Sequence, residues 1–362
     1  MIVRASFSAV FAALLLVACN PAAEPPAGEE APFAVSEDPA PPLEGQLAGD
    51  AREIGTFPTL TGELPAIIAH RGASGYRPEH TRSAYLLALE QGADILEPDL
   101  MVSRDGVLIV RHDPYLSTST DVADRPEFAD RRRELMGRED WWVMDFTAGE
   151  LRSLGARQVF PGRSAEHDDT DPVMTFGDLL DLVAEAEAAC ACEIPVEPEI
   201  KLPAEHSAFG LDPAPILIDE LEARGLNTDT ALVIIQSFDA PFLERLRPMT
   251  PLPLAMLHYG DEPGGDMNGY SLEQVAEFAP AIGAYTGLLL NPDGSSTGYL
   301  ERAHALGLVV HTWTHRDDAP SLLADGDTDD ELRALLALGV DGVFTDFPGT
   351  AVRVREDMLN AE

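Results

Sequence analysis

The sequence predicts an α/β fold, a (β/α)8 barrel of the TIM type. From Leu64 to the end of the chain, short aliphatic and β-branched segments alternate with amphipathic helical patterns. Strands that are nearly unbroken apolar runs indicate a parallel sheet covered by helices. About eight strand–helix units in roughly 290 residues favour a closed barrel over a doubly wound sheet. The absence of Gly-x-Gly-x-x-Gly after any strand further weakens the dinucleotide-binding alternative.

The helical patterns between the strands have recognisable ends. Thr175 and Asp178 form a capping box at the start of one helix, a second helix stops near Gly92, and a third ends at Gly339. The candidate strands are Ala66–His70, Ile95–Leu100, Val107–His112, Pro195–Lys201, Leu232–Ser237, Leu254–His258, Leu288–Asn291, Leu308–Trp313 and Gly342–Asp346.

Nine candidate strands exceed the eight of a barrel, and a turn motif accounts for the extra one. Asp105-Gly106 directly precedes Val107–His112, and Asp-Gly between alternating segments indicates a hairpin. Val107–His112 is then the antiparallel return arm of strand 2. With a two-residue turn, Asp99 faces His112, so the register brings a carboxylate and a histidine together.

The stretch from about residue 113 to 172, which follows this hairpin, lacks the strand–helix rhythm. An insertion of this length on a barrel is expected to cap one end and to contribute to specificity. It contains the run Arg131-Arg132-Arg133, which favours a solvated face over a phosphate clamp.

The first part of the chain is typical of an exported, anchored protein. Residues 1–18 have the pattern of a signal peptide, with an apolar run too short to span a membrane. The run ends in Leu16-Val17-Ala18-Cys19, which resembles a bacterial lipobox and predicts a lipid on Cys19; the alternative is a plain cleaved signal with an incidental cysteine. Residues 19–63, rich in Pro, Ala and Glu, predict a disordered tether. The prediction is a periplasm-facing, membrane-anchored lipoprotein with its folded domain in residues 64–362.

The charge balance limits the partners. With 63 acidic and 24 basic residues, the formal net charge is −39. Such a chain repels nucleic acids and anionic lipid surfaces, so we expect no nucleic-acid partner and membrane contact only through the anchor. An anionic substrate would need local cations or a metal ion.

Two further cysteines, Cys190 and Cys192, are separated by one residue. This spacing is too tight for an easy disulfide, although an oxidising envelope could force a strained one. The neighbouring sequence has no other ligands for a zinc site. We expect a structural or incidental pair.

Polar residues end several of the predicted strands, and in a parallel barrel the carboxyl ends of the strands form the active-site face. Three of them, Glu97, Asp99 and Glu199, are carboxylates that repel one another unless a cation joins them, and oxygen-only ligation suits Ca²⁺ or Mg²⁺. The remaining residues at these ends are His70, Arg71, His112, Lys201, Gln236 and Trp313.

The positive and titratable residues suit an anionic substrate such as a phosphodiester. Arg71 and Lys201 supply fixed positive charge, and His70 and His112 supply a general base and a general acid near neutral pH. This equipment predicts metal-assisted phosphodiester cleavage.

The motifs resemble those of the glycerophosphodiester phosphodiesterases, especially the periplasmic branch of that family. The resemblance runs in order from about residue 67 to 348. The motifs that carry it are His70-Arg71-Gly72-Ala73-Ser74-Gly75-Tyr76-Arg77-Pro78-Glu79-His80-Thr81, Glu97-Pro98-Asp99, His112-Asp113-Pro114, Pro198-Glu199-Ile200-Lys201, Gln236-Ser237-Phe238-Asp239, His311-Thr312-Trp313-Thr314 and Thr345-Asp346-Phe347-Pro348.

The resemblance implies a Ca²⁺- or Mg²⁺-dependent reaction on a glycerophosphodiester. Glu97, Asp99 and Glu199 would be the metal ligands, and Arg71 and Lys201 would hold the phosphate. In the implied course, the glycerol 2-hydroxyl attacks phosphorus, and water then opens a cyclic phosphate to give sn-glycerol 3-phosphate. We expect the two histidines to act as the acid–base pair. Gln236 and Trp313 would contact the substrate or only shape the pocket wall.

Two departures and two rival functions remain open. The family usually has Asn at the position of His80. A histidine there keeps a hydrogen-bond donor and could cap the following helix. Glu197 lies on the same strand face as Glu199, and a structural role is the favoured interpretation for it. The same barrel could act on lysophospholipids or glycerol-phosphate polymers. A surface lipoprotein that keeps the barrel only as a binding scaffold is the rival from another class.

Overall fold

The computed structural model describes residues 57–260 and 269–361. The predicted signal peptide, Cys19 and nearly all of the predicted tether lie outside these residues. Within the described part of the chain, none of the helices is both long and apolar enough to cross a membrane.

The described strands and helices alternate through most of the chain, as the sequence predicts. The strands are β1 (Ala66–His70), β2 (Ile95–Glu97), β3 (Asp99–Val102), β4 (Leu108–Val110), β5 (Arg133–Leu135), β6 (Arg138–Asp140), β7 (Glu199–Ile200), β8 (Ile235–Ser237), β9 (Leu254–His258), β10 (Ala281–Tyr285), β11 (Val309–His315) and β12 (Gly342–Thr345). The helices are α1 (Arg82–Glu90), α2 (Ala148–Leu151), α3 (Phe176–Cys190), α4 (Pro203–Ala208), α5 (Pro213–Ala223), α6 (Ala240–Leu246), α7 (Leu272–Val275), α8 (Tyr299–Ala305), α9 (Thr328–Leu338) and α10 (Pro348–Asn360).

The sheet closes into a barrel because β2 and β3 are two halves of one strand, interrupted at Pro98. The first half pairs in parallel with β1, and the second half pairs in parallel with β7. Strands β12, β11, β10, β9 and β8 complete the circuit between β1 and β7. The (β/α)8 fold class predicted from the sequence is confirmed, and the helices bury residues such as Tyr85, Leu217 and Leu335 against its outer face.

The helix ends follow their sequence signals. At α3, the Thr175 side chain and the Asp178 side chain each bond the other residue's backbone N–H, and α9 ends at Gly339, whose φ of 105° favours glycine. The cap of α1 differs from the expectation for His80. The Thr81 side chain accepts from the backbone of Ala84 instead, which leaves the His80 imidazole to turn inward.

One predicted strand is wrong. Leu288–Asn291 begins in a short 3-10 turn over Thr286–Leu288, and the barrel strand of this region is β10. The leucines are buried in the outer core, and a short apolar run does not by itself distinguish a strand from another buried segment. The true strand was inconspicuous because it contains Gly283, where a Cβ would lie 2.2 Å from Leu257 Cδ2.

The predicted hairpin exists, but its register is shifted by one residue. Leu100 pairs with Val110, and the chain turns through a three-residue loop that ends at Gly106, with φ of 78°. Asp99 therefore lies opposite Arg111 rather than opposite His112. The backbone N–H of Arg111 donates to the backbone carbonyl of Asp99 at 2.8 Å. An Asp-Gly sequence suits both loop lengths, and the difference of one residue changes every pairing.

The insertion packs beside the barrel, on the β3–β4 hairpin. It builds a second hydrophobic cluster with Met101 and Ile109 of the hairpin, which includes Leu116, Val143 and Phe146. The arginine run belongs to this packing. The Arg131 guanidinium lies 5.1 and 4.9 Å from the ring centroids of Phe128 and Phe146, Arg132 lies over Trp141, and Arg133 pairs with Asp145.

Cys190 and Cys192 form a disulfide, so the alternative that their spacing made difficult is the one adopted, and the pair is structural rather than incidental. Ala191 between them adopts a left-handed conformation at the end of α3. The two Cα atoms are consequently 5.2 Å apart, within the range that a disulfide spans.

Candidate active site

Three carboxylates meet at the carboxyl end of the barrel strands. Glu97 ends β2, Asp99 begins β3, and Glu199 pairs with Asp99 from β7. All three are buried, and one oxygen from each lies within 4.8 Å of the others. The break at Pro98 places both acids of the Glu97-Pro98-Asp99 motif in this cluster, as the sequence predicts.

The two oxygens of Asp99 have different surroundings. Oδ2 lies 2.9 Å from His80 Nε2 and 3.1 Å from Arg71 Nε. Oδ1 is buried without a hydrogen-bond donor, and Lys201 Nζ is 3.7 Å away. A buried carboxylate oxygen held in place and left unsatisfied fits a cation ligand.

Electrostatics also favour a cation at this cluster. Burial, and after it the charge of Asp99, raises the pKa of Glu97 well above its usual range. Burial raises the pKa of Glu199 to about 8, against the lowering effect of Lys201. Burial opposes ionisation of Asp99 as well, but Lys201 and Arg71 outweigh it and hold that pKa well below normal. Three carboxylates this close cannot all ionise near neutral pH unless a cation joins them.

The two predicted phosphate-binding cations flank the carboxylates. Arg71 adopts a left-handed conformation directly after β1, with φ of 60°, and its guanidinium pairs with Glu79 at 2.7 Å. Lys201 Nζ lies 2.9 Å from Glu199 Oε1 and 5.7 Å from the ring centroid of Phe238. Arg71 is buried and Lys201 is largely buried against the cluster. An anionic group can therefore approach the carboxylates without facing only negative charge.

Each of the two predicted catalytic histidines is paired with an aspartate through Nδ1. His70 Nδ1 lies 2.6 Å from Asp346 Oδ1, and Arg71 Nε donates to His70 Nε2 at 3.2 Å. His112 Nδ1 lies 2.7 Å from Asp113 Oδ1. An aspartate on Nδ1 favours the tautomer with its proton there, which leaves Nε2 as the reactive nitrogen.

The pKa of both histidines is low. Burial, and then the charge of Arg71, lowers the pKa of His70 to about 4 despite Asp346. Burial also lowers the pKa of His112, assisted by Arg71 and Lys201. Both imidazoles are therefore favoured in the neutral form near pH 7, the form that accepts a proton.

The structure places Gln236 and Trp313 in different surroundings. Gln236 is buried behind the cluster, where its amide donates to Glu97 Oε1 at 3.3 Å and to the backbone of Glu197 at 3.2 Å. Trp313 is half-buried, with its indole N–H bonded to Gly283 O at 2.8 Å. Gln236 thus supports a predicted ligand from behind, while Trp313 lies at the mouth.

Trp313 belongs to an aromatic cluster that sequence reasoning missed. Phe238 follows β8, Tyr259 follows β9, Tyr285 ends β10 and Trp313 lies in β11. The Trp313 ring centroid is 5.5 Å from that of Phe238, 6.0 Å from that of Tyr259 and 5.4 Å from that of Tyr285. Because β8 and β11 are not neighbours in the sheet, the Phe238–Trp313 contact reaches across the mouth of the barrel.

Other partners of the site were also missed. The sequence motifs contain Asp346 and Asp113, but no local pattern indicates that they hold the histidines. Glu197, favoured as structural, accepts from His311 Nδ1 at 3.0 Å in the barrel interior. His80 lies behind Asp99, with its Nδ1 2.9 Å from the Tyr85 hydroxyl, and burial lowers its pKa.

The fold and the site together define a (β/α)8 barrel with three buried carboxylates that could hold a metal ion, flanked by two basic side chains and two histidines. The model of the glycerophosphoryl diester phosphodiesterase family matches residues 70–350. The chain therefore belongs to this family.

Relatives and solved structures agree with this assignment. The chain is 31% identical to a glycerophosphodiester phosphodiesterase of Arabidopsis thaliana, covering 86% of this chain and 91% of that protein. It is 32% identical to the glycerophosphodiester phosphodiesterase of Haemophilus influenzae, covering 79% of this chain and 88% of the relative.

The barrel is also similar to solved structures. A Silicibacter pomeroyi protein assigned to the glycerophosphoryl diester phosphodiesterases matches with a TM-score of 0.63 and 26% identity, over 82% of this chain and 94% of that one. An Oleispira antarctica phosphodiesterase, solved in complex with its product sn-glycerol-3-phosphate, shares the fold with a TM-score of 0.58 and 17% identity, over 82% and 99% of the two chains.

Proposed function

We propose that this family member hydrolyses glycerophosphodiesters to sn-glycerol 3-phosphate and an alcohol, with Ca²⁺ as the resident ion and Mg²⁺ as the alternative. The observation that carries the proposal is the buried triad of Glu97, Asp99 and Glu199 beside Arg71 and Lys201. Curated relatives at 31% and 32% identity that bear this activity's name support it.

The three carboxylates would hold the divalent ion. Their donor set is all oxygen, and the buried, undonated Oδ1 of Asp99 fits a hard cation. When bound, such an ion neutralises charge on the phosphoryl oxygens and orients the reacting groups. Arg71 and Lys201 would bind the remaining negative charge of the phosphodiester.

In the first step, His70 Nε2 would accept the proton of the glycerol 2-hydroxyl as that oxygen attacks phosphorus. The bond from phosphorus to the headgroup oxygen breaks, and that oxygen takes a proton from His112. The anionic substrate offsets the charges of Arg71 and Lys201, which favours the protonated form that His112 needs for this role.

In the second step the roles reverse. His112, now neutral, accepts a proton from water as the water oxygen attacks phosphorus. The bond to the 2-oxygen breaks and that oxygen takes the proton from His70, so both imidazoles return to their starting state.

The test is ³¹P NMR of purified protein with glycerophosphocholine, lysophosphatidylcholine and a glycerol-phosphate polymer, each with Ca²⁺ or Mg²⁺. The proposal expects glycerol 3-phosphate from glycerophosphocholine as the fastest reaction. Faster cleavage of lysophosphatidylcholine or of the polymer would replace the substrate class. Binding without turnover of all three would support the scaffold rival.

We also propose that the chain is a periplasm-facing lipoprotein, anchored through Cys19 and separated from the membrane by the tether. The support is the lipobox-like sequence before Cys19 and the Pro- and Glu-rich composition of residues 19–63. Metabolic labelling with a palmitate analogue should label the wild type in the membrane fraction and leave Cys19→Ser unlabelled. Equal labelling of both, or none in the wild type, would contradict the anchor.

A further inference from the structure

The insertion reaches the catalytic face through Arg163. Its side chain is only 3% exposed, although it lies in a surface loop. Arg163 Nη2 donates to Asp346 Oδ2 at 2.6 Å, Nη1 donates to Ser74 O at 3.2 Å, and Nε donates to Asp318 Oδ2 at 2.7 Å. All three of these partners lie outside the insertion.

Asp346 connects this arginine to His70. One oxygen of Asp346 bonds His70 Nδ1, and the other accepts from Arg163 and, at 2.9 Å, from Arg316 Nε. The Asp346 side chain is 1% exposed. Its orientation, and therefore the orientation of the imidazole, depends on the two guanidiniums that hold its second oxygen.

Arg163 is itself fixed by aromatic rings. Its guanidinium carbon lies 4.2 Å from the ring centroid of Phe160 and 5.3 Å from that of Phe347, and Arg316 lies 4.8 Å from the same Phe160 ring. Phe160 thus stacks with both arginines that contact Asp346. A guanidinium held by rings on its face and acids at its edge has little freedom to leave.

We infer that Arg163 is a positioning residue for the reaction, which acts through Asp346 to hold His70 with its Nδ1 protonated and its Nε2 directed to the substrate. This inference rests on the proposed role of His70. The insertion would then contribute to catalysis through Arg163 without contacting the substrate. Loss of Arg163 should therefore lower kcat rather than weaken substrate binding.

The experiment is a mutant cycle on the full-length protein with glycerophosphocholine. Arg163→Met, Arg163→Lys and the control Arg157→Met are compared, each with Asp346 intact and with Asp346→Asn. Arg157 lies in the same insertion, and its ion pairs are with Asp124 and Asp169. Thermal unfolding and Ca²⁺ titration verify that each variant is folded and binds the ion.

Arg163→Met should lower kcat roughly tenfold, with KM within about twofold of wild type. Arg163→Lys should recover part of the loss, and Arg157→Met should match wild type. In the Asp346→Asn background, Arg163→Met should have no further effect on kcat, because the Asp346 carboxylate charge that pairs with Arg163 is already absent. An equal loss in both backgrounds, or a loss confined to KM, overturns the inference. If Arg163→Met does not fold, Arg163→Lys takes its place in the cycle.

A second readout separates this inference from the proposed reaction. In protein labelled with ¹⁵N at the imidazoles, the His70 resonances, assigned by their loss in His70→Ala, should show protonated Nδ1 in wild type and Arg157→Met. They should move toward a mixture of tautomers in Arg163→Met. Unchanged His70 resonances overturn the positioning role, whereas absence of turnover in the wild type would contradict only the proposed function.

Discussion

The mouth of the barrel has two contrasting halves. The charged half, on β12, β1, β2–β3 and β7, carries His70, Glu97, Asp99, Glu199 and Asp346. The aromatic half, on the contiguous strands β8 to β11, carries Phe238, Tyr259, Tyr285 and Trp313. The halves meet where Lys201 Nζ lies 5.7 Å from the Phe238 ring centroid.

The two halves are held together by different forces. In the charged half each functional group is fixed by a hydrogen bond or ion pair, as His70 is by Asp346 and Asp99 is by His80. In the aromatic half, rings pack against rings, and the Trp313 indole N–H donates to Gly283 O. Fixed charges stabilise charge that develops during reaction, whereas apolar rings bind carbon skeletons. We therefore expect the charged half to determine kcat and metal affinity, and the aromatic half to determine KM.

The largest expected effect separates two glutamates, Glu199 of β7 and Glu197 just before it. Glu199→Gln should reduce turnover to background and weaken Ca²⁺ binding by more than about 100-fold, because a ligand charge is lost. Glu197→Gln, the matched control two residues earlier, should retain Ca²⁺ affinity within a few fold, since Glu197 faces His311. Calorimetric titration and kcat measure both. Equal damage to Ca²⁺ binding would extend the metal site to Glu197.

Substitution of the two catalytic histidines should have the second-largest effect. His70→Ala and His112→Ala should each lower kcat by about 10²- to 10⁴-fold, the usual contribution of a general acid or base. Ca²⁺ affinity should change little in either variant. Full loss in one variant and near-normal kcat in the other would contradict the paired scheme.

Metal affinity should increase with pH in the charged half. Because the pKa of Glu199 is raised to about 8 and that of Glu97 is raised as well, protons compete with the ion below these values. Ca²⁺ binding should release protons at pH 7, and Kd should fall by up to about tenfold per pH unit for each released proton, until the pH passes about 8. Calorimetry at pH 6, 7 and 8 measures this. An equal Kd at pH 6 and pH 8 would contradict the electrostatics described above.

The smallest effect should come from the aromatic half. Trp313→Ala should raise KM for glycerophosphocholine roughly tenfold and leave kcat within about threefold, because ring packing is lost from the ground state and the transition state alike. Phe209→Ala, an exposed aromatic after α4, is the control. A drop in kcat with unchanged KM would contradict the division between the two halves.

The sequence predicted the charged half better than the aromatic half, for a physical reason. Carboxylates, histidines and cations at strand ends are unusual enough that their shared position indicates a site. An aromatic residue at the end of a strand is ordinary, and the contact of Phe238 with Trp313 depends on the curvature of the whole sheet. The pairing of His70 with Asp346 was equally inaccessible, since the two residues are 276 positions apart in the chain.

The length of one loop and a glycine within one strand account for the two errors in strand prediction. The fold class required only the alternation of strands and helices, and it was predicted correctly. The register at Asp99 depended on whether the loop ending in Gly106 has two or three residues, and both are compatible with Asp-Gly. β10 was missed because Gly283 interrupts its apolar pattern, where the packing of Leu257 leaves no space for a side chain.

We propose that the charged half catalyses the reaction with a divalent ion. The most direct test removes metal from the purified protein with a chelator, then follows glycerol 3-phosphate release from glycerophosphocholine while Ca²⁺ is added back. We expect no release at the start and a saturable recovery as Ca²⁺ is added. The midpoint should match the calorimetric Kd, and Glu199→Gln should show no recovery. Full turnover by the chelated protein would contradict it.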